Sequence, residues 1–123
     1  PKPQNPTLCG SISINCIMAY KTTPQLHKLI LLGDSNVGKT SIINRYVSGQ
    51  FNPYTEESTV INQQRKKIDA THELQIWDTL GQELYRSLNR IYFRDTSVCC
   101  LVVDVAKADP CRALDVWWFE YLN

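Results

Sequence analysis

No stretch of this 123-residue chain approaches the roughly 18 consecutive apolar residues that a membrane-crossing helix requires. No such helix is expected. An excess of either charge is missing too. Thirteen basic residues stand against 12 acidic ones, a net charge of +1, which leaves no electrostatic footprint for a nucleic-acid partner. The five cysteines are odd in number and lack zinc-ligand spacing. Cys99 and Cys100 stand together inside an apolar run, where buried core thiols of a reducing compartment are expected. The N-terminal residues lack the basic start and unbroken apolar core of a secretory signal. The chain begins on Pro1 and not on Met, as a cut or processed chain would. What the composition does supply is 43% hydrophobic and 20% charged residues, the proportions of a globular domain. Disorder as the main state is excluded, and the length suits one domain.

The composition shifts along the chain. Residues 1–25 carry Pro1, Pro3, Pro6 and Pro24 among Ser, Thr and Asn, and are expected to form a poorly ordered arm. Residues 26–123 read as the folded part. The apolar run at 26–32 (LHKLILL) predicts a buried strand ending at Gly33. Ile42, Ile43, Tyr46 and Val47 recur at helical spacing over 39–48, with Gly49 as the stop. Residues 60–68 are polar and extended, as an edge strand would be. Residues 72–77 alternate and stop at Asp78. Leu84, Leu88 and Ile91 predict one helical face over 83–94. Residues 98–103 (VCCLVV) predict a strand covered on both sides. Leu114, Trp117, Trp118 and Tyr121 predict a helix after Pro110. The order β-α-β-β-α-β-α argues for an α/β domain with a mainly parallel sheet.

Residues 33–40 read GDSNVGKT and fit G-x-x-x-x-G-K-[ST]. Gly33 and Gly38 let the backbone curl until successive N–H groups converge on one centre, and the following helix adds its positive end. Lys39 supplies a point charge to phosphate oxygens. Thr40 supplies a hydroxyl to Mg²⁺, a hard ion that prefers oxygen. The motif lies between a predicted strand and a predicted helix, the context it requires. A second cluster, DTLGQE at 78–83, follows a predicted strand. An Asp there can hold Mg²⁺, a Gly can bring its N–H to a terminal phosphate, and a Gln can orient a water. Taken alone, Asp, Thr and Gly are also ordinary turn residues.

With GDSNVGKT, the Ser58-Thr59 pair and LQIWDTLGQE (74–83), the chain resembles a Ras-superfamily small GTPase over residues 26–122. LYRSL (84–88) and IYFR (91–94) place the resemblance in the Rab branch. It implies a P-loop NTPase fold, a three-layer α/β/α Ras-like G domain. It implies GTP and GDP as ligands and Mg²⁺ as cofactor. The nucleotide would lie along Gly33, Asp34, Ser35, Asn36, Val37, Gly38, Lys39, Thr40 and Ser41, with Phe51 on the guanine. Thr40, Thr59 and Asp78 would serve the metal, Gly81 would sense the γ-phosphate, and Gln82 would position the attacking water. No arginine finger is identifiable in cis, so turnover would be slow without a partner. Exchange factors, GTPase-activating proteins and effectors would be the partners, and the cytosolic face of endomembranes the location.

The chain also departs from that pattern. Asn36 replaces a small residue, a mild change because Asn tolerates left-handed backbone. Leu80 replaces Ala beside Gly81 and is expected to slow hydrolysis. The loop from Phe51 to Thr59 runs about one residue longer than in the nearest Rab pattern. Counted from Thr59, the effector-facing aromatic set keeps Trp77 and Tyr92 but has Gln64 at its third position. The guanine-reading Asn-Lys-x-Asp and Ser-Ala-Lys-type segments are not in the chain, which is expected to lack the last two strands and helices of the fold. The double-Cys lipidation tail that would bring it to a membrane is not there either, and Cys99-Cys100 is no substitute. In the family's sheet order, residues 98–103 would then form an unpaired apolar edge. Two other readings stay open: an interaction fragment without nucleotide control, and an unrelated P-loop ATPase or kinase.

Overall fold

Residues 30–32 (ILL) are apolar at successive positions, so the strand they form has to be covered on both faces. In the computed structural model, which describes residues 23–81 and 86–123 with the backbone alone at Arg86, they sit at the centre. The elements run β1 (Gln25–Leu32), α1 (Lys39–Ser48), β2 (Asn62–Lys67), β3 (His72–Asp78), α2 (Arg86–Arg90), β4 (Val98–Leu101) and α3 (Pro110–Leu122). The four strands form one sheet in the order β2-β3-β1-β4. β1 is parallel to both β3 and β4, and β2 is antiparallel to β3.

The register sorts the side chains into two layers. Leu31 and Ile76 face α1 and pack with Ile43. Ile30 and Leu32 face the opposite way and pack with Trp117 of α3. Helices therefore cover both faces of a mainly parallel sheet, the expected three-layer α/β arrangement. Polar β2 (NQQRKK) is an edge strand, as its composition predicts. α1 ends at Gly49, whose N–H bonds to the Arg45 carbonyl at 3.0 Å.

Four expectations change. β1 begins at Gln25, whose N–H donates to the Thr71 carbonyl at 2.7 Å, one residue inside the arm predicted over 1–25. Residues 1–22 lie outside the described residues. The helix predicted over 83–94 is described as the five residues of α2, with Leu84 outside the description. Its buried position is Asn89, while Leu88 and Ile91 are exposed. Asn89 goes inward because it hydrogen bonds to backbone beneath it, which outweighs the apolar spacing. β4 is shorter than 98–103 and only half-buried, because in the described sheet it pairs with β1 alone. Cys99 and Cys100 are accordingly half-buried and not core thiols, although desolvation still pushes the Cys99 thiol up to about 11.

That edge, with Phe119 and Leu122 exposed on α3, makes self-association the expected behaviour of this chain expressed alone. Sedimentation velocity should show concentration-dependent species. A monodisperse monomer with a sharp cooperative melt would contradict this.

Candidate functional site

The turn between β1 and α1 leads into the N-terminus of α1. Gly38, at φ 97°, starts α1, and Asn36 takes φ 60°, the left-handed conformation its side chain tolerates. No side chain caps α1, and its first turn carries no acid. By contrast Asp109 caps α3, accepting from the Arg112 N–H at 3.0 Å. The uncapped end of α1 opens on a cavity of about 130 Å³ lined by Ser35, Asn36, Gly38, Lys39, Thr40, Ser41, Thr55, Glu56, Glu57, Ser58, Thr79 and Gly81. Free amides, the positive end of a ten-residue helix and a lysine form an anion site.

Lys39 is buried, and its Nζ donates to the carbonyls of Gly33 at 2.9 Å and Asp34 at 2.8 Å. Burial lowers its pKa, and the carboxylates of Asp78, Asp34 and Glu57 oppose that shift. The ammonium group is thus fixed at the cavity. Asp34 turns its own side chain away, toward α3. One carboxylate oxygen accepts from the Trp117 Nε1–H at 2.8 Å, and the other lies 3.6 Å from Lys107 Nζ. Ser35 Oγ donates to Glu57 at 2.5 Å, which brings one acid of the 51–61 loop to the cavity mouth. Gly33 abuts the Val102 carbonyl, and Val37 packs beside it.

Three oxygen groups meet at the base of α1. Thr40 Oγ1 donates to Asp78 Oδ2 at 2.5 Å, and Ser58 Oγ lies 2.7 Å from Thr40 Oγ1 and 3.3 Å from the same carboxylate oxygen. Asp78 is buried, and its other oxygen has no hydrogen-bond partner among the described residues. A buried carboxylate oxygen without a partner is costly. With two hydroxyls beside it, the donor set suits a hard cation such as Mg²⁺.

Thr59 is not brought to this cluster. It is exposed, and its neighbour Ser58 is the residue that meets Thr40. The same one-residue offset recurs along β2. Gln63, not Gln64, lies opposite Trp77, whereas Gln64 faces α1 and its Nε2 donates to Asn44 Oδ1 at 2.9 Å. A one-residue slip reverses the face of every strand residue. Reading the loop from Phe51 to Ser58 removes the extra residue noted above, so the signal was the loop length. Trp77 and Tyr92 do meet, with ring centroids 5.2 Å apart. Phe51 is exposed and lies outside the cavity wall, near Ile42 and Tyr46. Gln82 lies outside the described residues.

Gly81 closes the site from the other side. A Cβ there would lie 2.5 Å from the Asp34 carbonyl carbon and 2.5 Å from the Ser35 nitrogen, so only glycine permits this approach to the phosphate loop. Thr79 Oγ1 ties the same segment to the Leu31 carbonyl at 2.5 Å. Asn89 and the Trp117–Asp34 bond carried no motif signal.

The family described as Ras of Complex, Roc, domain of DAPkinase matches residues 28–123. The chain is 40% identical over 101 residues to Ras-related protein Rab-7b of Paramecium octaurelia, covering 80% of this chain and 49% of that protein. It is 40% identical over 101 residues to Ras-related protein RABG3b of Arabidopsis thaliana, covering 80% and 50%. Against the Ypt/Rab-type GTPase avaA of Emericella nidulans it is 40% identical over 98 residues, covering 77% and 48%. The chain thus spans about half the length of the curated relatives it matches. A phosphate loop on an uncapped helix, a buried lysine at its floor and these matches lead to one assignment: the chain belongs to the Ras-like small GTPases, in their Rab branch.

Proposed function

We propose that this chain binds GTP and GDP through their phosphates together with Mg²⁺, hydrolyses GTP, and serves as a switch in vesicle trafficking on the cytosolic face of endomembranes. The observation that carries the reading is the cavity in which the α1 amides, Lys39 and the Thr40–Ser58–Asp78 oxygen cluster converge. Lys39 and the amides of residues 35–40 hold phosphate oxygens. Thr40, Ser58 and Asp78 hold the cation, which when bound supplies positive charge to the phosphates. Ser58 belongs to one loop and Gly81 to another, so a terminal phosphate bound between them ties both loops together, and its loss releases them. Gln82 orients the attacking water. No arginine lines the cavity among the described residues, so slow intrinsic turnover and a GTPase-activating partner are part of the proposal. Exchange factors and effectors complete the partner set.

Titration with labelled GTP, GDP and ATP tests the reading. Mg²⁺-dependent binding with preference for guanine nucleotides supports it. ATP preference, or no binding at all, overturns it. The metal assignment has its own test. Ser58→Ala should weaken the Mg²⁺ dependence of GTP binding roughly tenfold, the worth of about one cation–oxygen contact. Thr59→Ala should leave it nearly unchanged, and the reverse order would restore Thr59 as the ligand. Leu80→Ala should hydrolyse GTP faster than the parent; equal rates would remove Leu80 as a brake.

A further inference from the structure

One side chain holds the peptide that precedes Gly81. Asn89 of α2 is fully buried. Its Nδ2 donates to the Leu80 carbonyl at 2.8 Å, and its Oδ1 accepts from the Leu80 N–H at 3.3 Å. A buried amide is costly unless its groups are paired, and here both ends of the amide are spent on one backbone residue. The Leu80–Gly81 peptide is trans and planar, so its C=O and N–H point in opposite directions. Holding the Leu80 carbonyl on Asn89 therefore directs the Gly81 N–H away from Asn89. Gly81 itself lines the phosphate cavity and is pressed against the Asp34–Ser35 backbone.

We infer that Asn89 is a positioning residue that presents the Gly81 N–H to the terminal phosphate of a bound nucleotide, and so sets the preference for triphosphate over diphosphate. The inference rests on the nucleotide reading given above. It assigns a role to a buried position that lies off the apolar face the spacing predicts for this helix. Leucine shares the branched outline of asparagine and is larger, so it would serve an apolar packing role but could not make the two hydrogen bonds.

The test compares the parent chain with Asn89→Leu and Asn89→Asp. Ionised Asp keeps the acceptor for the Leu80 N–H and loses the donor to the Leu80 carbonyl, so the ratio is measured at a pH where the carboxyl is ionised. Amide hydrogen exchange is measured without nucleotide, and the affinity ratio for a non-hydrolysable GTP analogue over GDP is measured with it. In Asn89→Leu the Leu80 amide should exchange about tenfold faster, the loss expected for one hydrogen bond. In both variants the triphosphate preference should fall by about the same factor, while GDP affinity changes little. Unchanged Leu80 exchange in Asn89→Leu, or an unchanged ratio in Asn89→Asp, would overturn the inference. If Asn89→Leu does not fold, Asn89→Asp still decides it through the ratio. A parent chain that binds neither nucleotide would strike the nucleotide reading instead, and Leu80 exchange would still show whether Asn89 holds the peptide.

Discussion

Replacing Lys39 by alanine is expected to weaken GTP and GDP binding by on the order of 100-fold or more. A charge-assisted hydrogen bond is worth about 1.5–3 kcal/mol, and about 1.4 kcal/mol is a factor of ten. The two carbonyls leave the ammonium group one donor for phosphate, and one such contact at the upper end of that range, about 3 kcal/mol, accounts for a loss of that order. The position is also preset. Two backbone carbonyls hold the ammonium group, at 2.9 and 2.8 Å, so little side-chain entropy is lost on binding. Three carboxylates nearby support its charge against the effect of burial. Fluorescence titration with a labelled guanine nucleotide reads the loss, with far-ultraviolet circular dichroism confirming that the variant is folded. Parent-like affinity in a folded Lys39→Ala chain would remove the lysine from the phosphate site.

Trp117→Ala is expected to cost roughly 3–5 kcal/mol, the range for deleting a large buried aromatic. A domain of this size has only about 5–15 kcal/mol in total, so a large share of its stability should be lost. Trp117 is fully buried and centres the cluster with Ile30 and Leu32 that covers one face of the sheet. It has a second task, donating its indole N–H to Asp34 in the phosphate loop at 2.8 Å. Trp117→Phe separates the two. It keeps most of the packing, loses the donor, and should cost about 1–2 kcal/mol while loosening residues 33–35. Urea denaturation measures the stabilities, and amide exchange at residues 33–35 reads the tether. An alanine variant as stable as the parent would contradict the packing described for α3.

The elements that were legible in the sequence are those whose pattern has one physical reading. Apolar residues 30–32 require cover on both sides, and they are the sheet centre. GDSNVGKT requires a loop between strand and helix, and it has one. Polar NQQRKK predicts an edge, and β2 is one. Other positions are not decided by pattern. Ser58 and Thr59 carry the same chemistry side by side, so residue type does not choose between them. Fold geometry does, by bringing Ser58 to Thr40. The same choice decides whether Gln63 or Gln64 counts as the third aromatic position, and in the sheet it is Gln63 that lies opposite Trp77. Asn89 was hidden because a buried polar residue looks exposed until its partner is known, and the partner is backbone, which no side-chain pattern encodes. The link from Trp117 to Asp34 joins residues 83 positions apart and is visible only once the chain has folded.

The amides and side chains of residues 35–41 are the proposed phosphate seat. Backbone amide NMR of the chain, recorded while GDP and Mg²⁺ are added, tests it most directly. The largest shift changes should fall on residues 35–41, with smaller ones at Ser58 and Gly81. Saturating nucleotide that leaves residues 35–41 unmoved, or moves only residues elsewhere, would contradict it.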